Sequence, residues 1–579
     1  MTNLFKLSTA LGLIFSLTSP NAVLAELIID PDGVGATGVN GRGIRNGVIT
    51  RPGPVLDFLQ GDLRIGEGNI IASGGSVLIP AKAGSVLLNA SSGANNIVGF
   101  NNISQIDLGN FQSGKLVIDG EGTVGGAFVN IFDPLEAGVG AGRLDMGFGY
   151  SSILEVIGGG ALSINGLYGG FLTVNGNAES SLRVGGTGSR IDVTGNIEVN
   201  PEYNLASPAV ITVSNGGSLN ANDGYGIETV QGGPGSGFIS YGLVALGSNT
   251  QLSVTGEGSA LSFGSGRLSV RGQNTSILVS GGGDIVQNVR DPLIPYRNAG
   301  NPIALSIVSQ VGLANPSSLT VTGAGSQVAV REDIQIGDDF ETFGFDPISG
   351  NFGNIYSAGQ GAAVVENNGT LKADSTIYVS GNRSVGSTGS LTVRTGGTVQ
   401  ADKIVINTGG VLNGNGGTVV GDVELKGGTV APGASPGTMT VNGDFDFFSG
   451  IIDFEIGGSN PGEFDMLNVL GNFNAYEGSI FRFTLLAGYT PTATSTFNFL
   501  NIGGASNFDL IKPSFQFAGF GDTPLNVFAA NGRFSLAATD PNGGGGDPSP
   551  VPLPASVLFL AAALFGLTWL KKGKGMVAA

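Results

Sequence analysis

Ser181–Asn200 reads SLRVGGTGSRIDVTGNIEVN, Gln251–Gly272 reads QLSVTGEGSALSFGSGRLSVRG, and Ser318–Gly337 reads SLTVTGAGSQVAVREDIQIG. Set side by side, they share the frame L-x-V-x-G-x-G-S-x-φ-x-φ, a turn, then φ-x-φ, where φ is apolar. The second copy carries extra residues in its turn. Looser copies stand at Leu116–Thr123 (LVIDGEGT), Leu162–Gly166 (LSING) and Leu172–Gly176 (LTVNG). Alternation at period two sends every second side chain to one face of a short strand. The G-x-G-S between strands supplies corners with positive φ, where a Cβ would clash. Short strands joined by Gly corners and repeated about every 20 residues predict a parallel β-solenoid. One coil of it cannot bury its own inward face, so neighbours stack about 4.8 Å apart around a shared core. An antiparallel sandwich or propeller also uses short alternating strands with Gly turns. Blade signatures are absent from the sequence, however, and the connections are too short and uniform for Greek keys.

Further along, the pattern tightens. Gly396-Gly397-Thr398-Val399, Gly409-Gly410-Val411-Leu412, Gly416-Gly417-Thr418-Val419 and Gly427-Gly428-Thr429-Val430 recur in close succession at uneven intervals. The string Ala431–Asp444 (APGASPGTMTVNGD) follows, then Phe454–Gly458 (FEIGG), Phe464–Val469 (FDMLNV) and Leu485–Pro491 (LLAGYTP). Together these segments resemble the end of autotransporter-type β-helix passengers. The resemblance implies architecture and no particular activity. Sixteen of the 33 Phe fall between Phe445 and Phe534, which predicts a separate Phe-rich β domain over 444–540 closing the end of the solenoid. An open end would expose unpaired backbone groups. Solenoid repeats are thus expected over 111–443, with an N-terminal β region over 26–110 able to act as a cap. A full autotransporter would end in a membrane barrel of alternating strands about 10 residues long, and nothing after Thr539 reads that way.

Composition agrees with a packed, exported body. The chain has 102 Gly in 579 residues and no Cys or His, with 12% charged and 41% apolar residues. Gly lacks the three-residue period of collagen, and the apolar share suffices for a core. Without Cys, stability must come from packing rather than disulfides. Of 26 basic residues, Lys6 and three tail lysines lie in the ends, leaving 22 against 44 acids between them. Such a body repels nucleic acid and anionic lipid and attracts divalent cations.

Both ends read as address labels. Residues 1–25 hold Lys6, an apolar stretch from Leu7 to Leu17, Pro20, and Val23-Leu24-Ala25. These are the parts of a secretory signal, with signal peptidase expected to cut after Ala25. At the other end, residues 541–550 form a Gly/Pro linker. Residues 551–579 then contain Pro552-Leu553-Pro554, the apolar stretch Ala555–Leu570, and the basic cluster Lys571, Lys572 and Lys574. Trp569 and the lysines suit the interfacial, cytoplasmic side of a transmembrane helix. The order Pro-x-Pro, short apolar helix, lysines resembles the PEP-CTERM sorting tail, with Leu553 where the name-giving motif has Glu and extra residues Gly575–Ala579 after the cluster. The resemblance implies an exosortase-like processing enzyme acting near Pro552–Pro554. It also implies a cell-surface or extracellular protein, held in the membrane through the C-terminal helix before processing. An ordinary membrane anchor is the alternative.

Chemistry is thinly supported. Without His or Cys there is no Ser-His-Asp, Cys-His or His/Cys zinc site. Paired carboxylates could still serve a glycosidase. The densest acidic patch is Glu332, Asp333, Asp338, Asp339, Glu341 and Asp346. Asp333, Asp338, Asp339 and Glu341 are calcium-ligand candidates, hard oxygens for a hard cation; the other reading is a solvated loop on an acidic protein. Gly281-Gly282-Gly283-Asp284 is a lone match to calcium-binding repeats. Polysaccharide lyases on β-helices use Lys or Arg beside acids, which makes Arg267, Arg271 and Arg290 with Asp284 and Asp291 the candidates for that chemistry. Gly256-x-Gly258 opens no helical run, so no phosphate cradle is expected. No cofactor is called for. Two functions stand: a non-enzymatic surface or matrix protein working with exopolysaccharide in biofilm or adhesion, and a β-helix lyase or glycoside hydrolase acting on that polysaccharide.

Overall fold

The computed structural model describes residues 142–537 apart from short loops and the longer intervals 223–243 and 289–302; before residue 142 it describes strand segments alone. Among the described residues the chain is all-β. The three segments that define the repeat each make one complete turn of the chain. In the first, Ser180–Gly185 lies on one face (A), the 190–194 half of strand Arg190–Val199 on a second (B), and the 195–199 half on a third (C). The second segment gives Thr250–Thr255, Ala260–Phe263 and Leu268–Arg271; the third gives Ser317–Thr322, Gln327–Val330 and Asp333–Ile336. Every one of these strands pairs in parallel with the strand on the same face of the next turn.

In-register stacking turns the repeat into columns. On face A, Leu182, Ile211, Leu252, Ile277 and Leu319 are successive partners, as are Val184, Val213, Val254, Val279 and Val321. All ten are buried. Like therefore packs on like along the axis, and one continuous apolar core runs from Ile118 to Leu536.

The corners explain the glycine pairs. Gly416 has φ +73°, and a Cβ on Gly417 would lie 2.4 Å from the carbonyl oxygen of Val393 on the preceding turn. The first glycine makes the bend and the second lets the next coil close onto the one before. Gly396-Gly397 and Gly416-Gly417 sit between faces A and B, whereas Gly409-Gly410 and Gly427-Gly428 sit between faces C and A. Successive pairs thus alternate between corners, and the spacing between them is not the coil repeat. Coil length is also not fixed: the roughly 20 residues expected for one repeat hold from Thr398 to its partner Thr418, but other coils are longer. Equivalent positions lie 25 apart at Asn249 and Asn274 but 43 apart at Asp284 and Gln327. The extra length enters at corners, as with the antiparallel hairpin Phe340–Asp346 and Asn351–Ser357 between faces C and A.

Strand pairing runs through the boundary expected at residue 444. Strand Phe445–Ile456 pairs in parallel with Thr418–Ala431 on one side and with Phe473–Ala475 and Ser479–Leu485 on the other. Phe445 and Phe447 continue the inward columns that hold Val423 and Leu425 on the coil before. Phe445 stacks on Phe473 at 5.3 Å between centroids, and Phe483 stacks between Phe454 and Phe517 at 5.5 and 5.6 Å. The bulkier side chains do not end the stack. Only after Thr496–Ile502 does the pattern change: that strand pairs antiparallel with Arg533–Ala537, which pairs antiparallel with Asn526–Ala530. This antiparallel turn closes face B. Toward the other end, Glu26–Ile29 pairs antiparallel with Gly47–Thr50, and Ser85–Asn89 pairs in parallel with Gly114–Asp119.

Candidate functional site

Strand ends at the corners leave backbone N–H groups that the parallel ladder does not use, and buried ones must find acceptors. In each defining repeat the G-x-G-S serine supplies one. The Oγ of Ser189 accepts from Gly159 N at 2.9 Å, that of Ser259 from Gly216 N at 3.0 Å, and that of Ser326 from Gly282 N at 3.0 Å. Ser189 and Ser259 also donate to the carbonyls of Gly185 and Thr255, both at 2.8 Å. All three serines are buried. The frame marked this serine as part of a turn; its bond to the preceding coil was not legible.

Carboxylates and amides do the same work elsewhere. Asp422 Oδ1 accepts from Asp444 N at 2.9 Å, Asp444 Oδ1 from Asn472 N at 2.7 Å, and Asn472 Oδ1 from Ala505 N at 2.9 Å. Side chains also bond along the stack: Asn274 donates to Asn249 and Asn315 to Asn274, while Asn220 donates to Asp192 and accepts from Ser262.

Asp465 lies in the FDMLNV segment and ties it to the APGASPG loop. Its Oδ1 accepts from Gly437 N at 2.7 Å and its Oδ2 from Glu455 N at 2.9 Å. The residue is 1% exposed. Burial pushes its carboxyl up to about 6, against the two amide bonds that favour the charged form; Glu455 and Asp453 add repulsion. The opposite case is Glu424, held between the ammonium groups of Lys403 and Lys426. Burial raises its carboxyl, but the hydrogen bonds and charges of the two lysines outweigh it and leave the group below its ordinary value. Asp453 is gripped by Arg482 through both oxygens, at 3.0 and 2.6 Å.

The calcium candidates do not form a described cluster. Asp333 Oδ1 accepts from Thr376 N at 3.0 Å, which makes it another bridge to the next coil. Glu332 accepts from Gln287 Nε2 at 3.4 Å. Asp338 and Asp339 lie outside the described residues, as does the side chain of Glu341. Among the described residues, no group of three or more acids could hold a metal ion. Nor are the lyase candidates gathered together. Arg271 ends a face C strand and Asp284 begins a face B strand, while Arg290 and Asp291 lie outside the described residues. Ala25, Pro552, Leu553, Pro554, Lys571, Lys572 and Lys574 lie outside them too, with the linker and the expected C-terminal helix. Among the described residues, no helix is long and apolar enough to cross a membrane.

No family model matches the chain, and no curated protein matches it in sequence. Among solved structures, a hyper-glycosylated fragment of TibA, residues 55–350, is similar at 13% identity and a TM-score of 0.32, covering 73% of this chain and 94% of that one. The Hap adhesin of Haemophilus influenzae is similar at 13% identity and a TM-score of 0.17, covering 83% of this chain and 63% of that one. Neither superposition is close enough to define a shared fold.

Proposed function

We propose that this chain is an exported, non-enzymatic surface or matrix protein whose body is a parallel β-solenoid rod, working in exopolysaccharide matrix, biofilm or adhesion. The observation that carries the reading is the use of its polar side chains. Serines, asparagines and carboxylates on successive coils are engaged in bonding coil to coil, as suits a rod that presents repeated surface over its length. A glycoside hydrolase would need two carboxyl groups facing each other across an open cleft. Among the described residues the most perturbed acid, Asp465, is buried and has both oxygens on backbone amides. Signal peptidase would free the body at Ala25, and an exosortase-like enzyme would process the tail at Pro552–Pro554. The sequence of both ends supports this routing.

The test is to incubate the purified body, residues 26–540, with a panel of polysaccharides while following both binding and chain length. Binding without shortening is expected. Depolymerisation would overturn the non-enzymatic reading. For the sorting step, replacing Pro552–Pro554 by alanines should leave the full-length protein in the membrane fraction; unchanged release would remove the tail from the scheme.

A further inference from the structure

We infer that the corner between faces C and A in the C-terminal coils is a binding site for a neutral hexopyranose unit of a polysaccharide, with Tyr476 as its platform. The inference rests on the surface-protein reading above and names a ligand class and a place for it.

Most rings in these coils point into the core, but Phe448 and Tyr476 do not. They sit one above the other on consecutive coils, as the register Phe447↔Ala475 requires. Their rings are stacked, with centroids 4.6 Å apart and planes 16° from parallel. Lys426, on the coil before, places its ammonium 5.4 Å from the Phe448 ring centroid. Phe448 is thereby covered from both neighbouring coils and is half-buried, whereas Tyr476 remains 38% exposed. The stack holds the tyrosine ring rigid, so little conformational entropy is left to lose on binding. A part-exposed aromatic ring backed by a second ring suits the apolar C–H face of a pyranose.

Polar groups stand where the sugar hydroxyls would fall. Two residues before the aromatic pair, on the same outward side, Asn474 Nδ2 donates to Asp446 Oδ1 at 2.9 Å. That bond orients the pair and leaves Asp446 Oδ2 and Asn474 Oδ1 as acceptors for hydroxyl donors. Glu424 between Lys426 and Lys403 offsets one of their two charges and Asp446, which also acts on Lys403, offsets the other, so the corner offers no net positive charge. On a body carrying 22 basic against 44 acidic residues, an anionic glycan would be repelled. A neutral one is the match.

The experiment is affinity electrophoresis of the body, residues 26–540, in gels containing neutral glucans, mannans or galactans, with alginate as the anionic comparison. Retardation by at least one neutral polymer, insensitive to salt, is expected. Tyr476→Ala should weaken it at least tenfold and Asp446→Ala several-fold, while Tyr476→Phe, which keeps the ring, retains it. Unchanged circular dichroism shows that Tyr476→Ala still folds. If the body binds but Tyr476→Ala binds equally well, this site is wrong and the matrix reading stands. Retardation by alginate alone, or by no polymer, also overturns the site. Shortening of a polymer would instead overturn the function on which the site rests.

Discussion

Asp465 gives the stack a pH dependence of unusual sign. Its carboxyl rises from 3.8 to about 6 on folding, so between those values the folded state holds more proton than the unfolded one. Stability is therefore fully present below pH 4 and is lost as pH rises through 6. At about 1.36 kcal/mol per unit, the loss is roughly 3 kcal/mol. Asp465→Asn removes the titration. It also turns one hydrogen-bond acceptor into an amide N–H2 facing a backbone N–H, either of Gly437 or of Glu455. Two donors face to face in a buried site cost about 1–3 kcal/mol.

The two effects cross. The variant should be less stable than the parent at pH 4.5 and close to it, or better, at pH 8. A long stack does not unfold in one step, so the measurement must be local. Hydrogen exchange followed by mass spectrometry, corrected for intrinsic rates, should show parental peptides covering 431–444 and 451–458 opening more readily as pH rises from 4.5 to 7. The same peptides of Asp465→Asn should show a flat profile. A parental profile that is flat, or a variant that keeps the parental slope, would refute the burial argument.

Three further outcomes follow from the coil contacts. Glu424 behaves oppositely to Asp465: its depressed carboxyl contributes stability above its unfolded value near 4.5 that disappears as pH falls through the folded one. Glu424→Gln should remove acid sensitivity from peptides around 418–431, read by the same exchange experiment. Ser259→Ala leaves Gly216 N without its acceptor and should cost about 1–3 kcal/mol, visible as faster exchange in coils 209–222 and 250–263 while distant coils are unaffected. Gly417→Ala places a Cβ 2.4 Å from Val393 O and 2.6 Å from Val393 Cγ1; the forced separation of two coils should cost about 1–3 kcal/mol, visible as faster exchange in peptides around 388–394 and 410–420.

The repeat was readable because its two requirements fall on residue types that say so. Inward positions must be apolar, which makes the L-x-V and φ-x-φ alternation visible. Corners need positive φ, as at Gly256 and Gly258, which makes G-x-G visible. Acids in the variable positions carried no such mark. Asp333 resembles any loop aspartate until its partner, Thr376 N, is known to lie on the next coil, 43 residues away. Distance along the chain hides such bonds, because corner insertions change coil length without changing the register of the faces. The supposed boundary at residue 444 has a similar cause. A change from Leu and Val to Phe alters composition sharply, yet the geometry asks only that the residue point inward, and Phe454 and Phe483 satisfy it in one column.

The acidic excess acquires a structural meaning from these bonds. A carboxylate accepting a backbone N–H gains a charge-assisted bond without needing a lysine or arginine opposite it. Asp333, Asp422, Asp444 and Asp465 are all used in this way. A parallel coil generates such donors at every corner, so it can absorb many acids while the cations stay few. The bonds are also directional and cross from one coil to another, which resists slippage of the stack by one residue. Such a slip would turn every inward column outward. Serine at the G-x-G-S corner performs the same task with a neutral oxygen where the turn is tight and buried. Asp333, Asp422 and Asp444 serve at the corner between faces B and C, and at Asp465, where two strands must be held at once, the bond is bought with a raised pKa.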